Sequence, residues 1–325
     1  MLVSRRLFAV FLTMTLLRVR SYLQGGLNLG GHLHRTHNTT HDTTHSSDGM
    51  SHFRDLMNSL AVTLHLPYDD IDDRLITTTT SSLGFIPRIL HQSWRTKRLE
   101  PFQQDWQKTW LDHHPEWTYM FWTDADNREL IAQDFPWFLD VYDNFPLNIQ
   151  RADCARYFYM LRFGGVYVDL DFESLKALDP LVQNVQVALG YMSTDTTSEI
   201  AIPNAFLASI PGHIFWWYVV KRVLTAFAAG QVNKNDAHRI TGPVMLREAV
   251  VQYRDSCQNN ELVIFAAETL YGIDFNWRDD PNKQQLFHVC HAASKEFNST
   301  LCKSFFPNSY AITYWSGDIT WMKPK

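Results

Sequence analysis

The stretch from Val166 to Asp171 constrains the fold most: a short apolar run, Val166-Tyr167-Val168, leads directly into Asp169-Leu170-Asp171. Upstream, a helical pattern runs from about Asn148 to Phe163 and stops at Gly164-Gly165, a pair that accepts the left-handed turn at a helix end without steric penalty. Helix, glycine turn, strand and acidic pair, in that order, predict a strand whose end delivers two carboxylates to one place. On extended geometry, residues two apart share a face with about 7 Å between Cα atoms. Two negative charges at that distance repel by roughly 2 kcal/mol at an effective dielectric of 20. A divalent cation removes that cost. Carboxylate oxygens without neighbouring Cys or His donors point to Mn²⁺ or Mg²⁺ rather than zinc, with coordination positions left over for phosphate oxygens.

Around this element, from Leu83 onward, short apolar strands alternate with helical periods, which predicts an α/β fold with a sheet flanked by helices. Ile89 to Gln92 reads as the first strand and Trp106 to His113 as a helix ended near Pro115. Trp117 to Trp122 reads as the next strand, and Thr123 or Asp124 can cap a helix from Asn127 to Asp134. A hydrophobic content of 45% over 325 residues is enough to fill such a core. The predicted catalytic domain therefore spans residues 83–325.

The preceding residues have a different character. Residues 21–82 are rich in Thr, His, Gly and Ser and bury too little apolar surface to offset their ordering entropy, which predicts a flexible stem with one short helix near Phe53 to Leu64. The stem histidines can bind transition metals weakly, but a solvated stem is the stronger reading. Residues 1–20 pair Arg5-Arg6 with an apolar stretch from Leu7 to Leu17, short of the ~20 residues that cross a bilayer. They read as a signal anchor or signal peptide, with a mitochondrial-type presequence as the alternative. The absence of a small-x-small cleavage site tilts the reading toward a retained anchor.

Two sequons, at Asn38 and Asn298, fit passage through a secretory lumen. An oxidising lumen would permit one disulfide, with Cys290 and Cys302 the favoured pair, Cys257 an alternative partner, and Cys154 a buried thiol. A net charge of −5 with scattered basic residues excludes nucleic acid as a partner.

Asp153 and Arg156 lie three apart on the helix before the glycine turn, so they share a face that the turn folds back toward Asp169. A carboxylate can accept from two neighbouring sugar hydroxyls while a guanidinium donates beside it. The competing reading is an i,i+3 salt bridge on the surface.

The block from Arg151-Ala152-Asp153-Cys154-Ala155-Arg156-Tyr157 through Phe163-Gly164-Gly165-Val166-Tyr167-Val168-Asp169-Leu170-Asp171 resembles the sugar-binding region of family 32 glycosyltransferases containing the DXD motif. The likeness extends to Ile86 through Trp94, Phe121 through Asp124, Asn204 through Ser209, Pro211-Gly212-His213 and Thr241-Gly242-Pro243. That family includes fungal Golgi mannosyltransferases and inositol-phosphoceramide mannosyltransferases. What the resemblance implies is a GT-A nucleotide-binding sandwich with a mixed, mostly parallel sheet. It also implies Mn²⁺ (or Mg²⁺) as cofactor and hexose transfer, with retention, from a GDP- or UDP-linked donor to a glycan or glycolipid.

By position, Asp171 resembles the metal ligand, and Asp169 the residue that contacts ribose, sugar and a metal-bound water. Both are the implied catalytic pair. Asp153 and Arg156 resemble the donor-sugar clamp, Trp94 the base-stacking residue (a core tryptophan being the alternative), and Asn204 a further donor contact. Thr241-Gly242-Pro243 can contact phosphate or acceptor, or simply start a helix. Where relatives carry His-His-Trp, this chain has Thr313-Tyr314-Trp315, which leaves the third metal contact unassigned. Trp315 or Trp321 can close over the donor, and Asp318 is a substitute ligand. The implied location is the Golgi membrane, as a single-pass type II protein with a lumenal catalytic domain. Two rivals follow from the same residues: a nucleotide-sugar-binding protein that has lost catalysis, and a D-x-D phosphatase. The phosphatase motif has Thr or Val where Glu173 stands.

Overall fold

A computed structural model describes residues 85–257 and 261–316. The N-terminal segment, the stem with its helix near Phe53, the Asn38 sequon, Asp318 and Trp321 lie outside the described residues.

The strands are β1 (Ile89–Ser93), β2 (Thr118–Trp122), β3 (Gly165–Val168), β4 (Phe172–Ser174), β5 (Val187–Gly190), β6 (Phe206–Ser209), β7 (Leu262–Phe265) and β8 (Ala311–Thr313). Six form one sheet in the order β2-β1-β3-β6-β5-β7. β1 runs parallel to β2 and β3, and β5 runs parallel to β7, while β6 lies antiparallel between β3 and β5. β4 and β8 pair separately as an antiparallel ribbon. This is the mixed, mostly parallel sheet the sequence and its resemblance led us to expect.

Period-two alternation explains why the sheet is covered on both faces. Tyr167, Leu207, Val187 and Leu189 face one core, which they share with the helices α3 (Asn148–Arg162), α4 (Ile214–Ala228) and α5 (Pro243–Cys257). Their neighbours Val166, Val168, Phe206 and Ala208 face the other, which holds Trp110 of α1 (Pro101–His113) and Phe172 of β4. A strand buried on both faces reads as a continuous apolar run, as Val166-Tyr167-Val168 does.

The element boundaries hold to about a residue except at two helix starts, and the helix predicted from Asn127 begins at Asp124. α1 begins at Pro101, five positions before the apolar pattern becomes visible. Its first turn is hidden from periodicity because Phe102 is exposed and Gln103 buried. Pro101 suits the first helical position, and Gln103 accepts from the Glu100 amide at 3.0 Å. For α2 (Asp124–Asp134) the cap is Thr123, whose hydroxyl accepts from the Asp126 amide at 3.2 Å while Asp126 accepts from the Thr123 amide at 2.8 Å. Cys290 and Cys302 form the disulfide, within a third cluster that includes Trp106, Phe287 and Tyr314, and Cys154 is a buried thiol.

The glycine turn is fixed by its surroundings. Gly164 and Gly165 have φ of 63° and 87°. A Cβ on Gly164 would lie 2.6 Å from the Ser209 carbonyl oxygen, and one on Gly165 2.5 Å from that of Ile89. Both contacts are with main chain, so no side chain can rotate away to admit a larger residue. His91 of β1, completely buried, donates from Nε2 to the Gly164 carbonyl at 2.9 Å and accepts at Nδ1 from the Trp122 indole at 3.1 Å. The neutral ring thus satisfies both its nitrogens. Burial pushes its pKa down to about 4, against the opposing effect of the Gly164 hydrogen bond.

Candidate active site

Because β6 runs against β3, the residues that enter β6 sit beside those that leave β3. Asn204 and Ala205 precede β6, Asp169 follows β3, and the Asp169 amide donates to the Ala205 carbonyl at 2.9 Å. The buried face of α3 lies over this edge, and Arg156 reaches into it. Its Nη1 is 3.2 Å from Asp169 Oδ1 and donates to the Asn204 carbonyl at 3.0 Å. The guanidinium also stacks over the Tyr167 ring, 4.9 Å from its centroid, and Tyr167 donates its hydroxyl to Asp169 at 2.5 Å.

Asp153 anchors the other end of the cluster. It accepts from the Asn204 amide at 2.9 Å and from the Thr241 hydroxyl at 3.1 Å, and lies 3.6 Å from Arg156. Tyr157 closes the ring by donating to the Thr241 carbonyl at 2.5 Å. The side chains of Asp153 and Arg156 are exposed by only 7% and 9%, which rules out a surface i,i+3 bridge.

Electrostatics follow from this enclosure. Burial raises the Asp153 pKa, while Arg156, Asn204 and Thr241 pull it back. Burial also raises that of Asp169, opposed by Arg156 and Tyr167. For Arg156 burial alone would lower the pKa, but Asp169, Tyr167 and Asp153 outweigh it, and the guanidinium stays charged. Asp169 keeps 28% of its side chain exposed, so it lies at the mouth of the cluster with Arg156 behind it.

The acidic pair departs from the expected geometry. Asp169 to Phe172 form a turn rather than an extended strand end, with the Phe172 amide donating to the Asp169 carbonyl at 3.2 Å. The reason is that β3 and β4 belong to different sheets, so the chain must change direction between them, burying Leu170 and leaving both aspartates half-buried. Asp171 is held by its main chain: its carbonyl accepts from the Tyr314 amide at 3.0 Å. The β4–β8 ribbon thereby brings Trp315 to the acidic turn. Trp315 has a φ of 50° and donates from its indole to the Ile273 carbonyl at 3.1 Å.

Tyr314, at the position where the resemblance left a metal contact unassigned, turns inward and donates to Glu173 at 2.5 Å. Lys303 meets the same carboxylate at 2.6 Å, so Glu173 is a structural anchor. Thr241 is likewise committed, to Asp153 and the Ala237 carbonyl.

Trp94 lies just past the end of β1, half-buried and outside the packed core clusters, with the Arg95 guanidinium 5.5 Å from its ring centroid. Of two surface cavities, one of about 430 Å³ is lined by Asp124, Asn148 and Arg151, and one of about 750 Å³ by Lys97, Gln107 and Phe121. The acidic turn lines neither.

The donor set fits a hard divalent cation held jointly with a ligand. Among the described residues no group of three His, Cys, Asp or Glu could enclose a metal by itself. The acidic turn offers two carboxylates, which leaves the remaining positions to phosphate oxygens and water. Arg156 Nε is a buried donor without a hydrogen-bond partner, as expected where an anionic or hydroxyl-bearing ligand completes the site.

Sequence reasoning missed Tyr167, His91 and Tyr157. Tyr167 was within reach, since a residue two before Asp169 on a strand shares its face.

Residues 102–188 match the family model described as a glycosyltransferase sugar-binding region containing the DXD motif, which bears out the recognition made on the Arg151–Asp171 block. The chain is 39% identical over 159 residues to inositol phosphoceramide mannosyltransferase 3 of Schizosaccharomyces pombe, covering 49% of this chain and 42% of that protein. It is 35% identical over 136 residues to the mannosyl phosphorylinositol ceramide synthase SUR1 of Saccharomyces cerevisiae, covering 42% of this chain and 34% of the relative. The chain thus spans less than half the length of these two relatives. An uncharacterized glycosyltransferase, L373, of Acanthamoeba polyphaga mimivirus is 25% identical over 241 residues, covering 70% of this chain and 90% of that protein. Among solved structures, the PaToxG glycosyltransferase superposes with a TM-score of 0.42 at 13% identity over 83% of this chain and all of that chain, a likeness too low to carry an argument.

Proposed function

We propose that this chain is a metal-dependent glycosyltransferase that moves mannose, or a related hexose, from a nucleotide-sugar donor to a glycolipid acceptor with retention of configuration. The observation that carries this reading is the convergence of Asp153, Arg156, Asn204 and Asp169 at one sheet edge, directly beside the Asp171 turn. Two relatives named for mannosyl transfer to inositol phosphoceramide support mannose as the sugar and a phosphoinositol-bearing sphingolipid as the acceptor.

In the transfer, the bond from the anomeric carbon to the diphosphate oxygen breaks and a bond to the acceptor oxygen forms on the same face. The acceptor proton passes to the leaving phosphate. A Mn²⁺ held by Asp169 and Asp171 would supply Lewis-acid neutralisation of the charge that builds on that diphosphate. The protein's own part is preorganisation. Arg156 is locked between Asp169, Asn204 and Tyr167, so its donors need no reorganisation as charge develops. Asp153 has accepting capacity beyond its bonds to Asn204 and Thr241, and it orients sugar hydroxyls. Trp94 is the residue assigned to stacking on the base, and Trp315, beside the acidic turn, to closing over the donor.

The Cys290–Cys302 bridge and the exposed Asn298 sequon support a lumenal catalytic domain, tethered through the N-terminal segment. Among the described residues no helix is long and apolar enough to cross a membrane.

The test is a panel of GDP- and UDP-sugars with Mn²⁺ and an inositol-phosphoceramide acceptor. Mannosylated lipid from GDP-mannose is the expected product. Donor binding without transfer or hydrolysis would mark a binding protein that has lost catalysis, and release of phosphate alone a phosphatase.

A further inference from the structure

Tyr271 stands in the sequence as an unremarked residue between Leu270 and Gly272, yet the fold places it beneath the acidic turn. Its ring is completely buried. One edge meets Phe172, the residue after Asp171, at 5.2 Å between centroids and 78° between planes. The ring also stacks against Trp315 at 6.2 Å and 24°. On the side of the sheet, Gly190 at the end of β5 makes the room: a Cβ there would come within 2.8 Å of Tyr271 Cε2.

A ring clamped on these sides cannot withdraw its hydroxyl, and among the described residues nothing accepts the hydroxyl's proton. The Phe206 amide faces it but is itself a donor, so it cannot take the phenolic proton. Burial pushes the phenol above its ordinary pKa, so it keeps the proton it would donate. An unsatisfied buried hydroxyl costs about 1–3 kcal/mol, and a phenylalanine would fill the same space without that cost.

Resting on the transferase reading above, we propose that Tyr271 is a positioning residue, whose hydroxyl donates to the Asp169–Asp171 carboxylates once a cation-bound nucleoside diphosphate draws them together.

The experiment compares wild type, Tyr271→Phe and Asp171→Asn by calorimetric titration with GDP and UDP in MnCl₂, alongside thermal unfolding of the unliganded proteins and kcat and KM for donor hydrolysis. Tyr271→Phe is expected to keep or raise Tm while weakening Mn²⁺-dependent diphosphate binding about tenfold, the size of one hydrogen bond to a charged group. Wild-type binding and turnover in Tyr271→Phe would overturn the proposal. An unliganded stability loss as large as the binding loss would overturn it too, because the hydroxyl's proton would then already be bonded at rest, beyond the bond it accepts from the Phe206 amide. Asp171→Asn separates the two levels. If it alone loses binding, the Tyr271 role fails and the metal reading stands; if it binds and turns over as wild type, the metal reading itself fails.

Discussion

On the Asp153 side of the candidate site the polar contacts are drawn from α3, β3 and their antiparallel neighbour, and they knit into a closed ring of Asp153, Asn204, Arg156, Asp169 and Tyr167. On the Asp171 side the support comes from far along the chain: Tyr314 bonds the Asp171 carbonyl, Glu173 is gripped by Tyr314 and Lys303, and Trp315 leans on Tyr271. The first side is rigid before any ligand arrives. The second hangs on a short β4–β8 ribbon and includes the Tyr271 hydroxyl, which, like Arg156 Nε on the first side, has no hydrogen-bond partner among the described residues. Under the proposed function, the first side would hold the sugar and the second the diphosphate.

The largest effect should come from the glycine turn that joins α3 to β3 on the first side. Gly165→Ala combines a left-handed φ with a main-chain clash, and we expect a loss of about 3–5 kcal/mol in denaturant unfolding, enough to deplete folded protein. Arg156→Gln strands Asp169 and Asp153 without their cation and should cost about 3 kcal/mol. Adding Asp169→Asn should return part of that loss, and a double-mutant cycle showing strict additivity would mean the pair is not coupled.

A pH titration of stability probes the turn from behind. The folded pKa of His91 lies near 4, below its unfolded value of 6.5, so the unfolded chain binds the extra proton between those limits. Its contribution, about 3 kcal/mol, is complete above pH 6.5 and lost as the pH falls toward 4. In His91→Gln that component of the acid slope should vanish; an unchanged slope would show that the ring is not held neutral. The smallest effect belongs to the C-terminal side. Tyr314→Phe removes one bond to Glu173 that Lys303 still partners, and we expect about 1 kcal/mol in stability with a larger change in donor KM than in kcat.

The same division decides what could be read in the sequence. Asp153, Arg156 and Asp169 lie within one helix–turn–strand unit, where helical and extended periods fix relative placement, so their convergence was legible. Asn204 followed from the resemblance, and its physical reason, an antiparallel β6 entering where β3 leaves, needed the sheet order. Tyr314 and Glu173 meet across 141 residues through a ribbon of three-residue strands, too short to carry a periodic signal, and Tyr271 joins them only by way of Phe172 and Trp315. The acidic pair follows β3 but stands on a turn rather than an extended strand end, because nothing local announces that β3 and β4 belong to different sheets.

Mn²⁺-dependent hydrolysis of GDP-mannose, measured for wild type and Asp171→Asn with and without chelator, tests the central claim most directly. The account predicts turnover in the wild type that chelation abolishes and that Asp171→Asn lowers by at least about a hundredfold, the scale of losing an electrostatic contact made to the departing charge. Hydrolysis indifferent to both would show that the acidic turn does not serve the diphosphate.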